Sequence, residues 1–354
     1  MNIFQRSIVV ISCALLITLG IAVHASAANK APLLPATCGS MPTSADAWRD
    51  MFRTLPRAQD GYFSAKLPTN GRIAWVFGDT ARLDKHDYIH NMLVVTCGSQ
   101  IKQIGMAEAI PGKSDGSFYW GGPPIVDGGA LYVFAPHVRP DAAWPYFSSI
   151  GTDLAKFDLP LRSDPVFKGL YPTPSSNTVG QTDAVQWGAG VVSYGGYVYV
   201  YGTHKPAGAW GQSVRVARVP SGKLATLSAW RYWNGTNWGT NVALAKDIID
   251  AAVDGTDSAF TVHIELGKVI ITTKKSGPFS PDVGQFSATN FTGPFTFTKL
   301  IDSPTTTDMY TYLPAAHPET GLRLITINQQ AQGRPWPDDV WANPDDYRAK
   351  WLSY

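Results

Sequence analysis

Two aspartates bracket the stretch "DGYFSAKLPTNGRIAWVFGDT", Asp60 at its start and Asp79 beside its end. It reads as one β-hairpin, with an aromatic-led run, a turn over Pro68 to Gly71 and a second apolar run. If that four-residue turn closes symmetrically, the two aspartates face each other from the open strand ends. Opposed residues on antiparallel strands hold their Cβ atoms about 4.5–5.5 Å apart on one side of the sheet. Like charges at that range push one carboxyl's pKa up and leave the other ionised, so identical residues become a proton donor and a base. Cleaving a glycosidic bond takes that division of labour. The alternative is two strand-end residues bonding local backbone N–H groups. Register decides between them, because a slip of one residue turns one side chain to the opposite face.

Few other groups compete for chemistry. Glutamate occurs only at Glu108, Glu265 and Glu319. Asp183 in "QTDAVQW" precedes a strand as Asp60 does, and is the third carboxylate candidate, as a substrate contact. Trp120, Trp187 and Tyr312 begin the first strands of later hairpins and are expected around the same opening, where flat rings suit the C–H faces of sugars; core packing is the alternative. His90 and Asn91, leading into "MLVV", are expected as polar substrate contacts. Asp127 before a Gly-Gly turn reads as structural, and His263 with Glu265 as an ion pair on one strand face. Asp84, His86, Asp87 and His90 in "LDKHDYIHN" have no diagnostic ligand spacing, so no metal is expected. Nor is a cofactor, since there is no Gly-rich phosphate loop between strand and helix, no CxxC and no GxSxG.

The elements that must position these residues are mostly strands. With 44% hydrophobic residues the 354-residue chain can bury a large core, and 33 Gly with 26 Pro imply many turns. Only 16% of residues are charged and the net charge is +2 without a basic run, which argues against nucleic acid and anionic membrane and for a neutral partner. Arg6, the apolar run "SIVVISCALLITLGIAV" and "HASAANK" have the order of a secretory signal over residues 1–27, with cleavage after Ala27. An exported chain, in the medium, cell wall or periplasm, is therefore expected, free of the membrane once processed, and a monomer. Cys38 and Cys97, each in "TCGS", make an even pair for a disulfide. Within a segment over 28–58, "SADAWRDMFRTLPR" predicts a short helix capped by Ser44, with Trp48, Met51 and Phe52 on one face. From residue 59 to the end, five similar hairpins begin roughly 50–70 residues apart, the size of a propeller blade. The fold class expected is all-β, a five-bladed β-propeller with a short N-terminal helix, a β-sandwich being the rival.

Taken together, "DGYFSAKLP…GRIAWVFGDT", "IHNMLVV", "YVYVYGTH…VRVARVP", "GPFTFTK" and "DDYRAKW" resemble the secreted bacterial five-bladed propellers of a group formerly of unknown function, related to endo-D-arabinanases. The resemblance spans roughly residues 45–352, and its most specific part is the Asp-Gly start paired with "FGDT". It implies active-site carboxylates at Asp60 and Asp79 and a D-arabinan substrate of mycobacterial-type cell walls. The second blade's "YWGGPPIV" and the fourth's "DSAFTV" depart from that pattern. The expected function is thus an exported glycoside hydrolase cutting internal arabinofuranosyl linkages by inversion. A carbohydrate-binding propeller without catalysis, or a hydrolase of another furanoside such as L-arabinan or fructan, are the rivals.

Overall fold

The computed structural model describes residues 37–354 apart from 143–146, 162, 182 and 335–337. The expected signal segment, 1–27, lies outside the described residues. Five antiparallel sheets succeed one another along the chain, each a meander that starts at its innermost strand. The first blade orders Phe63–Lys66, Ile73–Phe77, Met92–Cys97 and Gln100–Gln103; the second, Pro124–Asp127, Ala130–Pro140, Phe147–Asp158 and Val166–Pro172. The third carries Gln186–Tyr194, Tyr197–His204, Ser213–Pro220 and Arg231–Trp233, and the fourth Thr261–Glu265, Lys268–Lys274, Asp282–Ala288 and Thr296–Asp302. Met309–Ala316, Leu324–Ala331 and Lys350–Ser353 form the fifth. Innermost strands of successive blades touch, and the turn Pro318–Thr320 after the fifth returns to the first. The protein is an all-β five-bladed propeller with one short N-terminal helix.

Strand composition explains the packing. The second strands, such as "IAWVF" and "YVYVYGTH", are buried along nearly their whole length because both faces meet a neighbouring blade. The core is accordingly a series of clusters between blades. Asp127 is structural, as expected: its carboxylate accepts the Gly222 and Leu224 N–H groups and clamps the second blade to the third. Glu265 pairs with Arg323 at 3.7 Å rather than with His263, a partner from the fifth hairpin that strand alternation does not reveal.

The ring closes through aromatic packing. The helix Ala45–Arg53, whose N-cap Ser44 Oγ accepts the Ala47 N–H, buries Trp48, Met51 and Phe52. It touches outer strands of both the fifth and the first blade. Phe52 lies 5.0 Å from Trp75 and 5.2 Å from Trp351, ring centre to ring centre, and Trp48 5.3 Å from Trp75. Two blades from opposite ends of the chain thus share one apolar cluster. A disulfide joins Cys38 to Cys97 and holds the segment before the helix against the first blade. Among the described residues no helix is long and apolar enough to cross a membrane.

Because closure depends on this cluster, Phe52→Ala is expected to cost about 3–5 kcal/mol. Calorimetry should show a fall in Tm of about 10 °C, whereas Arg49→Ala on the helix's outer side should stay within about 0.5 kcal/mol of wild type.

Candidate active site

The first hairpin holds one register throughout its length. Leu67 N–H donates to Arg72 O, which closes the turn over residues 68–71, and Phe63 pairs with Val76 and Lys66 with Ile73. Beyond the aspartates the same register resumes, with Gln59 on Thr80 and Arg57 on Arg82. Asp60 and Asp79 therefore face each other as the turn predicted. The open strand ends expected there are absent, because a three-stranded sheet of Arg57–Gln59, Thr80–Arg82 and Asp87–Ile89 continues past the pair.

Between the two ladders the backbone is irregular, and glycine makes that possible. Gly61 has φ +70°, and a Cβ there would sit 2.8 Å from the Gly78 nitrogen. A Cβ on Gly78 would sit 2.5 Å from Asp60 Oδ1. The Asp-Gly and Gly-Asp pairs are the condition for two carboxylates to share one crossing point.

The carboxylates have different surroundings. Asp60 Oδ2 accepts the Tyr312 hydroxyl at 2.8 Å, and its neighbour Gly61 donates its N–H to Asn328 Oδ1 at 3.0 Å. Asn328 in turn donates to Leu313 O, which fixes the bulged backbone beside Tyr312. Burial, and after it the charge of Asp79, raises the Asp60 carboxyl to about 7, against hydrogen bonds from the Tyr312 and Tyr347 hydroxyls that pull it down. Asp79 is 26% exposed; its Oδ1 accepts Trp120 Nε1–H at 2.9 Å and lies 3.1 Å from His90 Nδ1. His90 stacks on Phe118, ring centres 3.5 Å apart, and Trp120 packs edge-on against Phe147. One carboxyl is thus held in a tyrosine-lined recess, the other offered to solvent between nitrogen donors.

The structure brings Asp60, Asp79, His90, Trp120 and Tyr312 together and leaves the remaining candidates elsewhere. Trp187, expected at the opening, is 1% exposed. A bulge between Trp187 and Gly190 sends the indole into the core, where it packs on Trp230 and Tyr232. Asn91 is also 1% exposed, and its amide is used up on Ile110 N–H, Ile110 O and Tyr119 O, so it anchors the backbone next to Trp120 instead of meeting a ligand. Asp183 is an exposed turn residue with φ +59°, and no hydrogen bond or ion pair among the described residues links it to the pair. The loop acids and histidines disperse: Asp84 to Arg57, Asp87 to Arg82, His86 onto Trp341. Sequence reasoning missed Tyr347 and Asn328, although Tyr347 stands in the quoted "DDYRAKW". A cavity of about 260 Å³ beside the helix is lined by Arg49, Arg53, Tyr62, Arg348 and Trp351, and neither aspartate belongs to its walls.

The family model described as "Domain of unknown function (DUF5005)" matches residues 56–352. The chain belongs to that family. No curated protein matches it. Among solved structures, this DUF5005 chain is similar to a provisionally assigned hydrolase from Bacteroides ovatus, at 18% identity and a TM-score of 0.66 over 86% of this chain and 88% of that one. It is also similar to a GH43 β-1,3-galactosidase, at 10% identity and a TM-score of 0.51 over 83% and 56%. A GH43_1 enzyme from Xanthomonas citri aligns at 14% identity and a TM-score of 0.44 over 81% and 87%. At such identities the likeness concerns the fold.

A carboxyl-detected NMR titration should show Asp60 with its midpoint near 7. In Asp79→Asn the like charge is gone, so this midpoint should fall, yet stay above the ordinary value because burial is the larger cause.

Proposed function

We propose that this DUF5005 protein is an exported glycoside hydrolase that cuts internal arabinofuranosyl linkages of cell-wall D-arabinan, with Asp60 as general acid and Asp79 as general base. The observation that carries this reading is the pair itself, two opposed aspartates in unlike surroundings. Asp60 is raised to about 7 and keeps a proton to give near neutral pH, while Asp79 presents a hydrogen-bond-oriented carboxylate to solvent. In a single displacement, Asp60 passes its proton to the glycosidic oxygen as the bond to the anomeric carbon breaks. Asp79 takes a proton from the water whose oxygen bonds that carbon from the opposite face, so the anomeric configuration inverts. Proton exchange with solvent restores both groups. Glycosidase chemistry on the same fold, as in the GH43 β-1,3-galactosidase, supports the reaction class. The D-arabinan substrate is supported by the resemblance of the first hairpin and the terminal "DDYRAKW" to endo-D-arabinanases. Export is supported by the signal-like order of residues 1–27.

Incubating the mature protein with mycobacterial arabinogalactan, beside plant L-arabinan, should release oligosaccharides from the first polymer only. Asp60→Asn and Asp79→Asn should each lower kcat by about 10²–10⁴-fold. Glycan binding without release in the wild type would make the protein a lectin-like propeller. Since the acid must be protonated, activity should decline as pH rises through about 7. Tyr312→Phe deletes a bond that holds the Asp60 pKa down, so it should move this decline to higher pH.

The same shift has a stability consequence. A carboxyl whose pKa is raised on folding binds its proton more tightly in the folded state, so its contribution to stability falls as pH climbs from about 4 to about 7. Asp60→Asn should therefore melt a few degrees above wild type at pH 8, with the gap closing by about pH 4.

A further inference from the structure

The rings beside Asp60 continue outward from Tyr312. Its ring centre lies 5.4 Å from that of Tyr310, Tyr310 lies 6.2 Å from Phe279, and Phe279 lies 6.4 Å from Trp210. Three blades supply this series. Trp210 stands in the loop between Tyr197–His204 and Ser213–Pro220, Phe279 in the loop between Lys268–Lys274 and Asp282–Ala288, and the tyrosines on Met309–Ala316. In a meandering blade the connection after the second strand emerges on the face where the first strand begins. All four rings therefore share the face that carries Asp60 and Asp79.

Exposure rises along the series. The tyrosines are half-buried, Phe279 is 63% exposed and Trp210 74%. Large rings in water gain nothing for the fold, and two of them in contact, prolonging a row that ends on a carboxyl, mark a surface built for a ligand. The backbone beneath is fused. A Cβ on Gly277, at φ +105°, would sit 2.7 Å from Trp210 O, and one on Gly211 2.9 Å from the Ser276 carbonyl carbon. Ser276 N–H donates to Asp254 O at 2.7 Å, and Lys275 pairs with Asp254 at 2.7 Å. The two loops form one platform, and Lys275 beside it is already paired.

Resting on the glycosidase reading, we propose that Trp210 and Phe279 form a distal subsite that stacks sugar units of the substrate chain away from the bond being cut. The occupant is a glycan chain because the platform is apolar, arranged ring after ring as a linear polymer would lie, and continuous with the carboxylate pair through Tyr310 and Tyr312. A partner protein would call for a broad patch. A site extended in this way favours cleavage inside a polymer over removal of end units.

The test compares wild type with Trp210→Ala, Phe279→Ala and the double variant on arabinogalactan and on a short aryl arabinofuranoside. The ratio of kcat/KM for polymer to that for the short substrate should fall about tenfold per ring, through KM, and the products should shift in length. An equal loss on both substrates, or no change in the ratio, would overturn the subsite. Affinity electrophoresis in gels cast with arabinogalactan, L-arabinan, galactan or xylan separates this from the reaction itself. Should no polymer be cut, retardation by any of them that the double variant loses sustains the subsite. Wild-type migration unaffected by all of them refutes it, as would self-association in the ultracentrifuge that the variants abolish.

Discussion

The register of the first hairpin is the constraint on which the site depends. One turn over residues 68–71 determines which residues pair from Lys66 and Ile73 out to Arg57 and Arg82. Shifting it by one residue would separate the two carboxylates onto opposite faces. Close approach of like charges opposes folding, and several features hold the chain against that cost. Ladder hydrogen bonds continue on both sides of the pair, Gly61 and Gly78 remove the side chains that would collide there, and tyrosine and indole donors take up the carboxylate oxygens. Strain of this kind is retained only where the surroundings over-determine it.

Those surroundings come largely from the other end of the chain. Tyr312, Asn328 and Tyr347 stand 252, 267 and 268 positions beyond the groups they bond in the first hairpin. Asp60 belongs to the first blade and its partners to the fifth, Tyr347 standing in the connection before its last strand, so the recess exists only when the ring is shut. The aromatic cluster around Phe52, Trp75 and Trp351 shuts it. Closure and assembly of the site are consequently one event. A substitution in that cluster, which reaches Tyr62 and Phe77 beside the aspartates, should disturb Asp60 through the seam.

What was legible in the sequence follows from range. The opposition of Asp60 and Asp79, the helix capped by Ser44, the Cys38–Cys97 pair and the five hairpins rest on local spacing and turn chemistry, which a linear reading resolves. Trp187 was misplaced because its position in a strand was legible but the bulge after it was not, and the bulge turns its ring inward. Asn91 was misjudged for a related reason: a polar residue at a strand start serves either a ligand or the backbone, and only the fold shows Ile110 and Tyr119 within its reach. Asn328 and Tyr347 lacked any local signal, because their roles are defined across the closing seam. Trp210 and Phe279 were equally silent, each a lone aromatic in a Gly- or Pro-bearing loop until the loops are set side by side.

The two carboxyls differ in surroundings because they differ in placement, and both placements derive from the propeller. An inner strand brings Asp60 toward the axis, where the fifth blade covers it with hydroxyls and burial disfavours charge. Asp79, just past the next strand, faces Trp120 and His90, whose nitrogens orient it without sealing it. On the proposed reading, exchanging these surroundings would exchange the acid and base roles, although the residues are identical. The specificity of such a site lies less in the acids than in the neighbouring blades: the rings of the second blade flank Asp79, and those of the third to fifth blades lead away from Asp60. On the proposed reading, loop substitutions there would alter the accepted chain while the hairpin keeps its chemistry.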